Sequence, residues 1–127
     1  MQIESIDHIV LPTQDLEKCL HFYRDLLNMT VTNANGRYAL TFGQQKINIH
    51  QKKAEFLPTA KTPTYGSLDL CFITEQPIES ILDEIQDASI PTETDPPIVD
   101  RIGAKGPMRS VYVRDPDGNL VEIAQYI

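Results

Sequence analysis

Apolar and polar positions change period along this chain in an order that occurs twice. The segment IESIDHIVL, Ile3 to Leu11, ends in a β-rich run that Pro12 stops. Leu16, Cys19, Leu20, Tyr23, Leu26 and Leu27 then recur at spacings of three and four, which places them on one face of a helix. Thr13 or Asp15 would cap its start by accepting hydrogen bonds from the free amides of the first turn. After Asn28 the pattern predicts short strands over Thr30 to Asn33, Arg37 to Phe42 and Lys46 to Gln51. Asn35-Gly36 marks a hairpin, because both residues tolerate positive φ, and the Gly43 region marks the next turn.

Residues 52–65, KKAEFLPTAKTPTY, show no clear period and read as a connecting loop. The order then repeats. Ser67 to Ile73 reads as a strand, and Ile78, Ile81, Leu82, Ile85 and Ala88 form the apolar face of a second helix with Pro77 in its first turn. Ile90 to Thr94 is a short strand candidate. The Pro- and Gly-rich stretch from Asp95 to Pro107 reads as a loop of the kind that covers a site. Arg109 to Val113 and Asn119 to Gln125 are the final strands, joined by a turn at Asp115-Pro116-Asp117-Gly118.

The expected fold class is α+β, with two βαβββ modules forming curved mixed sheets around a cleft. The modules span about 1–51 and 66–127, on either side of the 52–65 linker, within a single domain of 127 residues. Residue identity between the halves is low, and it is the order of elements that marks the repeat. A ferredoxin-like sandwich with extra strands is the competing fold.

Composition narrows the partners. Eleven Lys plus Arg against eighteen Asp plus Glu give a formal charge of −7, which repels phosphate backbones and argues against nucleic acid. No apolar run approaches the length of a bilayer span and no signal-like N-terminus is visible, so a soluble cytoplasmic protein is expected. Cys19 and Cys71 make no CxxC pair and read as small buried hydrophobes in a reducing compartment.

Strand alternation sorts the polar residues by face. Ile47 and Ile49 share one side and Asn48 and His50 the other; Asp69 and Cys71 oppose Leu68, Leu70 and Phe72. Glu122 shares a face with Leu120 and Ala124, and His8 with Ile6 and Val10. A carboxylate inside so apolar a strand costs several kcal/mol unless it meets water, a cation or a metal. Each module therefore offers a polar residue in its first strand, His8 or Asp69, and one in its last, Asn48, His50 or Glu122. Taken singly, each could be an ordinary hydrogen-bonded residue, and Asp69 could pair with Arg109 or Arg114. Taken as a set on paired strands, imidazole and carboxylate suit a divalent Zn, Ni, Mn, Fe or Co ion with open positions.

IDHIVLPTQDLEKCLHFYRDLLNM, Ile6 to Met29, resembles the opening of vicinal oxygen chelate domains, the glyoxalase, bleomycin-resistance and extradiol-dioxygenase superfamily. VYVRDPDGNLVEIAQY resembles its final strands, and the paired modules resemble its fold across nearly the whole chain. KINIHQ, YGSLDLCFIT and RIGAKGPMRSVYVRDPDGNLVE are similar to a small glyoxalase-domain or virulence-associated subgroup. In metal-binding members the resemblance implies a ligand in the first strand of each module and another in the last strands, positions that His8 and Glu122 match. Where the superfamily carries a run like His-Ile-Ala-Phe in its fifth strand, this chain has Asp69-Leu70-Cys71-Phe72, so Asp stands for His. Where glyoxalase I enzymes place a fourth-strand Glu, it offers Asn48 and His50.

The expected metal ligands are thus His8, Asp69, Glu122 and His50, with Glu122 or Asp69 also serving as general acid or base. Asn48, His50, Arg101, Arg109 and Tyr112 are candidate substrate contacts, the arginines because a guanidinium grips a carboxylate with two bonds. Arg114 is expected to brace the 115–118 turn, and Tyr112 could instead pack in the core. The resemblance implies a metal-dependent, glyoxalase-like enzyme, of lyase, isomerase or dioxygenase type, chelating a small oxygenated molecule through neighbouring oxygens. The alternative is a metal-free protein that sequesters a ligand, as bleomycin-resistance members do. A homodimer is expected in either case.

Overall fold

The computed structural model describes residues 1–127 and contains two compact units, Met1–Tyr65 and Gly66–Ile127. In the first unit β1 (His8–Pro12) is followed by α1 (Leu16–Leu20), a π-helical continuation (His21–Leu26), and strands β2 (Thr30–Ala34), β3 (Arg37–Phe42) and β4 (Gln45–His50). They form a four-stranded sheet in the order β1-β4-β3-β2, with β1 parallel to β4 and the other pairs antiparallel. β1 starts at His8, later than the expected run from Ile3, since residues 1–7 pair with no strand.

Asp15 is the residue that caps α1, taking the Lys18 amide at 3.1 Å, while Thr13 braces the cap through the Asp15 backbone. The regular 3.6-residue face expected through Leu27 is altered by the π turn, where the Leu27 amide reaches back five residues to the Phe22 carbonyl. The wider turn buries Phe22 together with Tyr23, their rings edge to face at 4.9 Å, and leaves Leu26 and Leu27 half-buried. Asn35 (φ 56°) and Gly36 (φ 83°) both take positive φ, as a two-residue hairpin of the primed type requires.

The second unit contains β5 (Asp69–Ile73), α2 (Ile78–Asp87), β6 (Val99–Gly103), β7 (Gly106–Arg114) and β8 (Leu120–Tyr126). Its sheet order, β5-β8-β7-β6, copies the first: β5 is parallel to β8 and the rest are antiparallel. These separate four-stranded mixed sheets are the expected α+β arrangement and not the ferredoxin-like alternative. Pro77 stands at the N-cap of α2 and not inside its first turn; Ile78, Ile81 and Ile85 are buried, and Ala88, just past the end, is exposed.

One strand is displaced from the sequence expectation. Ile90 to Thr94 forms none, and β6 lies instead inside the stretch read as a loop. β6 is an edge strand that pairs only with β7, so Asp100, Arg101 and Ile102 are exposed and no apolar alternation was needed to build it. No helix is long and apolar enough to cross a membrane.

Candidate functional site

Register fixes which side chains share the open face of each sheet. In the second unit Cys71 on β5 and Tyr112 on β7 both pair with Glu122 on β8. The opposite face carries Val111, Val113, Val121 and Ile123 and receives α2, whose Ile78 amide donates to Gln125 Oε1 at 3.0 Å. Arg109 also belongs to that helix side and forms an ion pair with Glu79 of α2 at 2.6 Å. The structure therefore places Arg109 away from Glu122, Tyr112 and Asp69.

Glu122 is 9% exposed, and its Oε2 accepts the Ser110 hydroxyl at 2.6 Å. Cys71 and Tyr112 flank it as its cross-strand partners on β5 and β7. No lysine, arginine or histidine forms an ion pair with it. The carboxylate is thus held by one neutral donor, Ser110, and is matched by no cation. Cys71 is exposed as a residue, but partial shielding of its thiol from water, helped by the neighbouring Glu122 charge, pushes it up to about 11. The Tyr112 phenol is likewise raised by burial, an effect that Arg101 opposes. Arg101 Nε donates to the Tyr112 hydroxyl at 3.0 Å, and its guanidinium lies 5.3 Å from the ring centre, so Tyr112 faces this cluster and is not a core residue of the helix side.

Asp69 lies on the same face, exposed, two pairs along the β5–β8 ladder from Cys71 and Glu122. Arg114 bonds Glu93 and the Gly118 carbonyl, so neither Arg109 nor Arg114 takes the pairing with Asp69 that the sequence allowed. Cys71 is exposed, unlike fully buried Cys19, which corrects the expectation for that cysteine. It occupies the open face, where no helix covers it.

In the first unit His8 stands at the start of β1 with its side chain 43% exposed and Nδ1 2.7 Å from Asp7. Val10, Asn48 and Ala39 pair across β1, β4 and β3 on the same face. Near them a cavity of about 240 Å³ is lined by Thr32, Arg37, Lys46, Asn48, His50 and Phe56, among others. His50 is 7% exposed and meets Phe56 edge to face at 5.3 Å. The cavity thus gathers two of the expected substrate contacts, Asn48 and His50, with Arg37, Lys46 and Phe56, which sequence reasoning did not select. Ser110 was missed as well, although it lies two residues before Tyr112 and so on its face. Neither unit by itself gathers three His, Cys, Asp or Glu side chains able to hold a metal ion.

Comparison with known proteins agrees with this architecture. Residues 5–123 match the Glyoxalase/Bleomycin resistance protein/Dioxygenase superfamily. The chain is 49% identical to virulence protein STM3117 of Salmonella typhimurium, over 100% of this chain and 88% of that protein. The crystal structure of the Salmonella protein covers 100% of both chains with a TM-score of 0.95. A glyoxalase domain-containing protein, RDO1 of Mycosarcoma maydis, is 44% identical over 99% of this chain and 70% of its own length. Likeness of fold alone extends to lactoylglutathione lyase from Agrobacterium tumefaciens (22% identity, TM-score 0.75, 98% and 96% of the two chains). It extends equally to TnmS3, an antibiotic binding protein from Streptomyces sp. CB03234 (19% identity, TM-score 0.74, 100% and 99%).

Proposed function

The chain belongs to the glyoxalase/bleomycin resistance protein/dioxygenase superfamily, and on that premise we propose that it is a metal-dependent enzyme acting on a small oxygenated organic molecule. Glu122 carries the reading. A carboxylate 9% exposed, held at 2.6 Å by Ser110 and matched by no cation, has the donor chemistry and fixed orientation of a metal ligand. The candidate ligands are Glu122 and Asp69 in the second unit and His8 and His50 in the first. When bound, it would stabilise an oxyanion developing on neighbouring substrate oxygens.

The protein's own groups supply the rest. Glu122 takes up and returns the substrate proton as general base and acid, with exposed Asp69 as the second carboxylate on the same face. Ser110 keeps the carboxylate aligned, so little reorganisation is needed as the proton moves. Tyr112, oriented by Arg101, places a second hydroxyl donor beside it. The enzyme works in the cytoplasm as a homodimer, giving twice the chain mass by light scattering.

Calorimetric titration of metal-stripped protein with Zn, Ni, Mn or Fe(II) tests this. One site per chain, abolished in Glu122→Ala with the circular dichroism spectrum kept, is the expected result; no uptake of any of the ions contradicts it. The metal-free alternative, a ligand-sequestering protein, draws support from the cavity of the first unit, whose polar lining needs no metal to bind a guest. Tight ligand binding without turnover in metal-stripped protein favours that reading.

A further inference from the structure

The cavity of the first unit inverts the charge of the chain around it. The protein carries −7 overall, yet the charged side chains lining these roughly 240 Å³ are Arg37 and Lys46, with no Asp or Glu among the lining residues. None of the polar side chains Arg37, Lys46, Asn48 and His50 makes a hydrogen bond or ion pair within the protein. Arg37 is nonetheless held: its guanidinium lies 4.1 Å from the centre of the Phe56 ring. A guanidinium has five N–H donors, and those Arg37 does not use within the protein suit an oxyanion, which a guanidinium can grip with two parallel bonds. His50, 7% exposed as a residue, also borders this space, and its ring nitrogens are not sealed off inside the protein. Arg37 and Lys46 are open to solvent, so a guest entering the cavity meets donors that the protein itself leaves free.

Phe56, Ala34, Ala39 and Ile49 supply an apolar wall beside these donors. The volume falls below the ~300–1,000 Å³ usual for drug-sized ligands, so the guest is compact. We infer that this cavity binds a small organic carboxylate, with its anionic group at Arg37 and Lys46, its body against Phe56, and Asn48 and His50 bonding its remaining polar atoms. The inference rests on the cavity alone and not on a metal at Glu122.

Sodium benzoate is a suitable probe, titrated by NMR and calorimetry into protein kept in EDTA, with neutral benzamide and inorganic phosphate beside it. Saturable benzoate binding is expected, with shifts confined to residues 32–56 and weakened by salt. Arg37→Gln should weaken it roughly ten- to a hundredfold, the worth of a charge-assisted bond. Arg24→Gln, which removes the same charge from an exposed site paired with Asp25, should leave it unchanged. Benzamide binding as tightly as benzoate, phosphate matching benzoate, or equal affinity in Arg37→Gln would each overturn the assignment. Because EDTA removes any metal, failure here is separable from failure of the metal reading.

Discussion

Two sheets with one topology carry open faces of contrasting chemistry. In the first unit the central row is Val10, Asn48 and Ala39; at the same register in the second it is Cys71, Glu122 and Tyr112. Where the first unit has the methyl of Ala39, the second has the phenol ring of Tyr112 beside its paired carboxylate, Glu122. The first unit accordingly holds a cavity lined by donors without protein partners, while the second holds a carboxylate fixed by the Ser110 hydroxyl. Repetition of the backbone thus fixes where side chains converge, and a few substitutions at matched positions decide whether the place is open or filled.

The comparison extends to the hairpins leading into the last strand of each unit. The first unit turns at Gly43, whose φ of 53° is unsupported by side chains, whereas in the second the Asp115 carboxylate accepts from the Asp117 and Asn119 amides and from Asn119 Nδ2. Asp115→Ala, which strands these buried donors, should cost about 3 kcal/mol and lower Tm by roughly 10 °C. Gly43→Ala should cost about 1 kcal/mol, the ordinary penalty of a left-handed conformation. Chemical denaturation of the two variants measures the contrast, and equal losses would remove it.

Ala39→Tyr would bring the second unit's pattern into the first. A ring added at that position enters the cavity, so stability should change by less than about 1 kcal/mol while benzoate binding disappears. Retained binding by calorimetry would show that the cavity beside Ala39 is not where the guest sits.

The smallest effect concerns Cys71. With its thiol pushed up to about 11, little thiolate exists at neutral pH, so alkylation by iodoacetamide should be slow at pH 8 and climb as pH approaches that value. Glu122→Gln removes the adjacent negative charge but not the burial, which is the larger cause, so the rate at pH 8 should rise only a few-fold. An unchanged rate would mean that Glu122 does not act on this thiol.

Much of this arrangement was legible in the residues, for identifiable reasons. The strands around Asn35-Gly36 could be read because side-chain alternation and a two-residue turn are both local signals. Glu122 stood out because a charge among Leu120, Val121, Ile123 and Ala124 demands a partner. Its partners were hidden, since Cys71, Ser110 and Tyr112 are brought to it only by the β5–β8 and β7–β8 registers, which no local pattern specifies. β6 was obscured by the neighbouring prolines and glycines and by an edge position that needs no apolar face. Phe22 was missed because a π turn breaks the helical period. Phe56 sits in an aperiodic loop, so nothing in the sequence tied it to Arg37.

The central claim is that Glu122 is buried without a cation because it serves a metal. Elemental analysis of untagged protein tests it most directly, on wild type, His8→Ala and Glu122→Ala purified alike. The account predicts about one divalent ion per chain in wild type, lost in both variants while the fold persists. Wild-type protein that carries no metal and takes up none when Zn, Ni, Mn or Fe(II) is added would contradict it, leaving Glu122 a hydrogen-bonded strand residue and the sequestering function in its place.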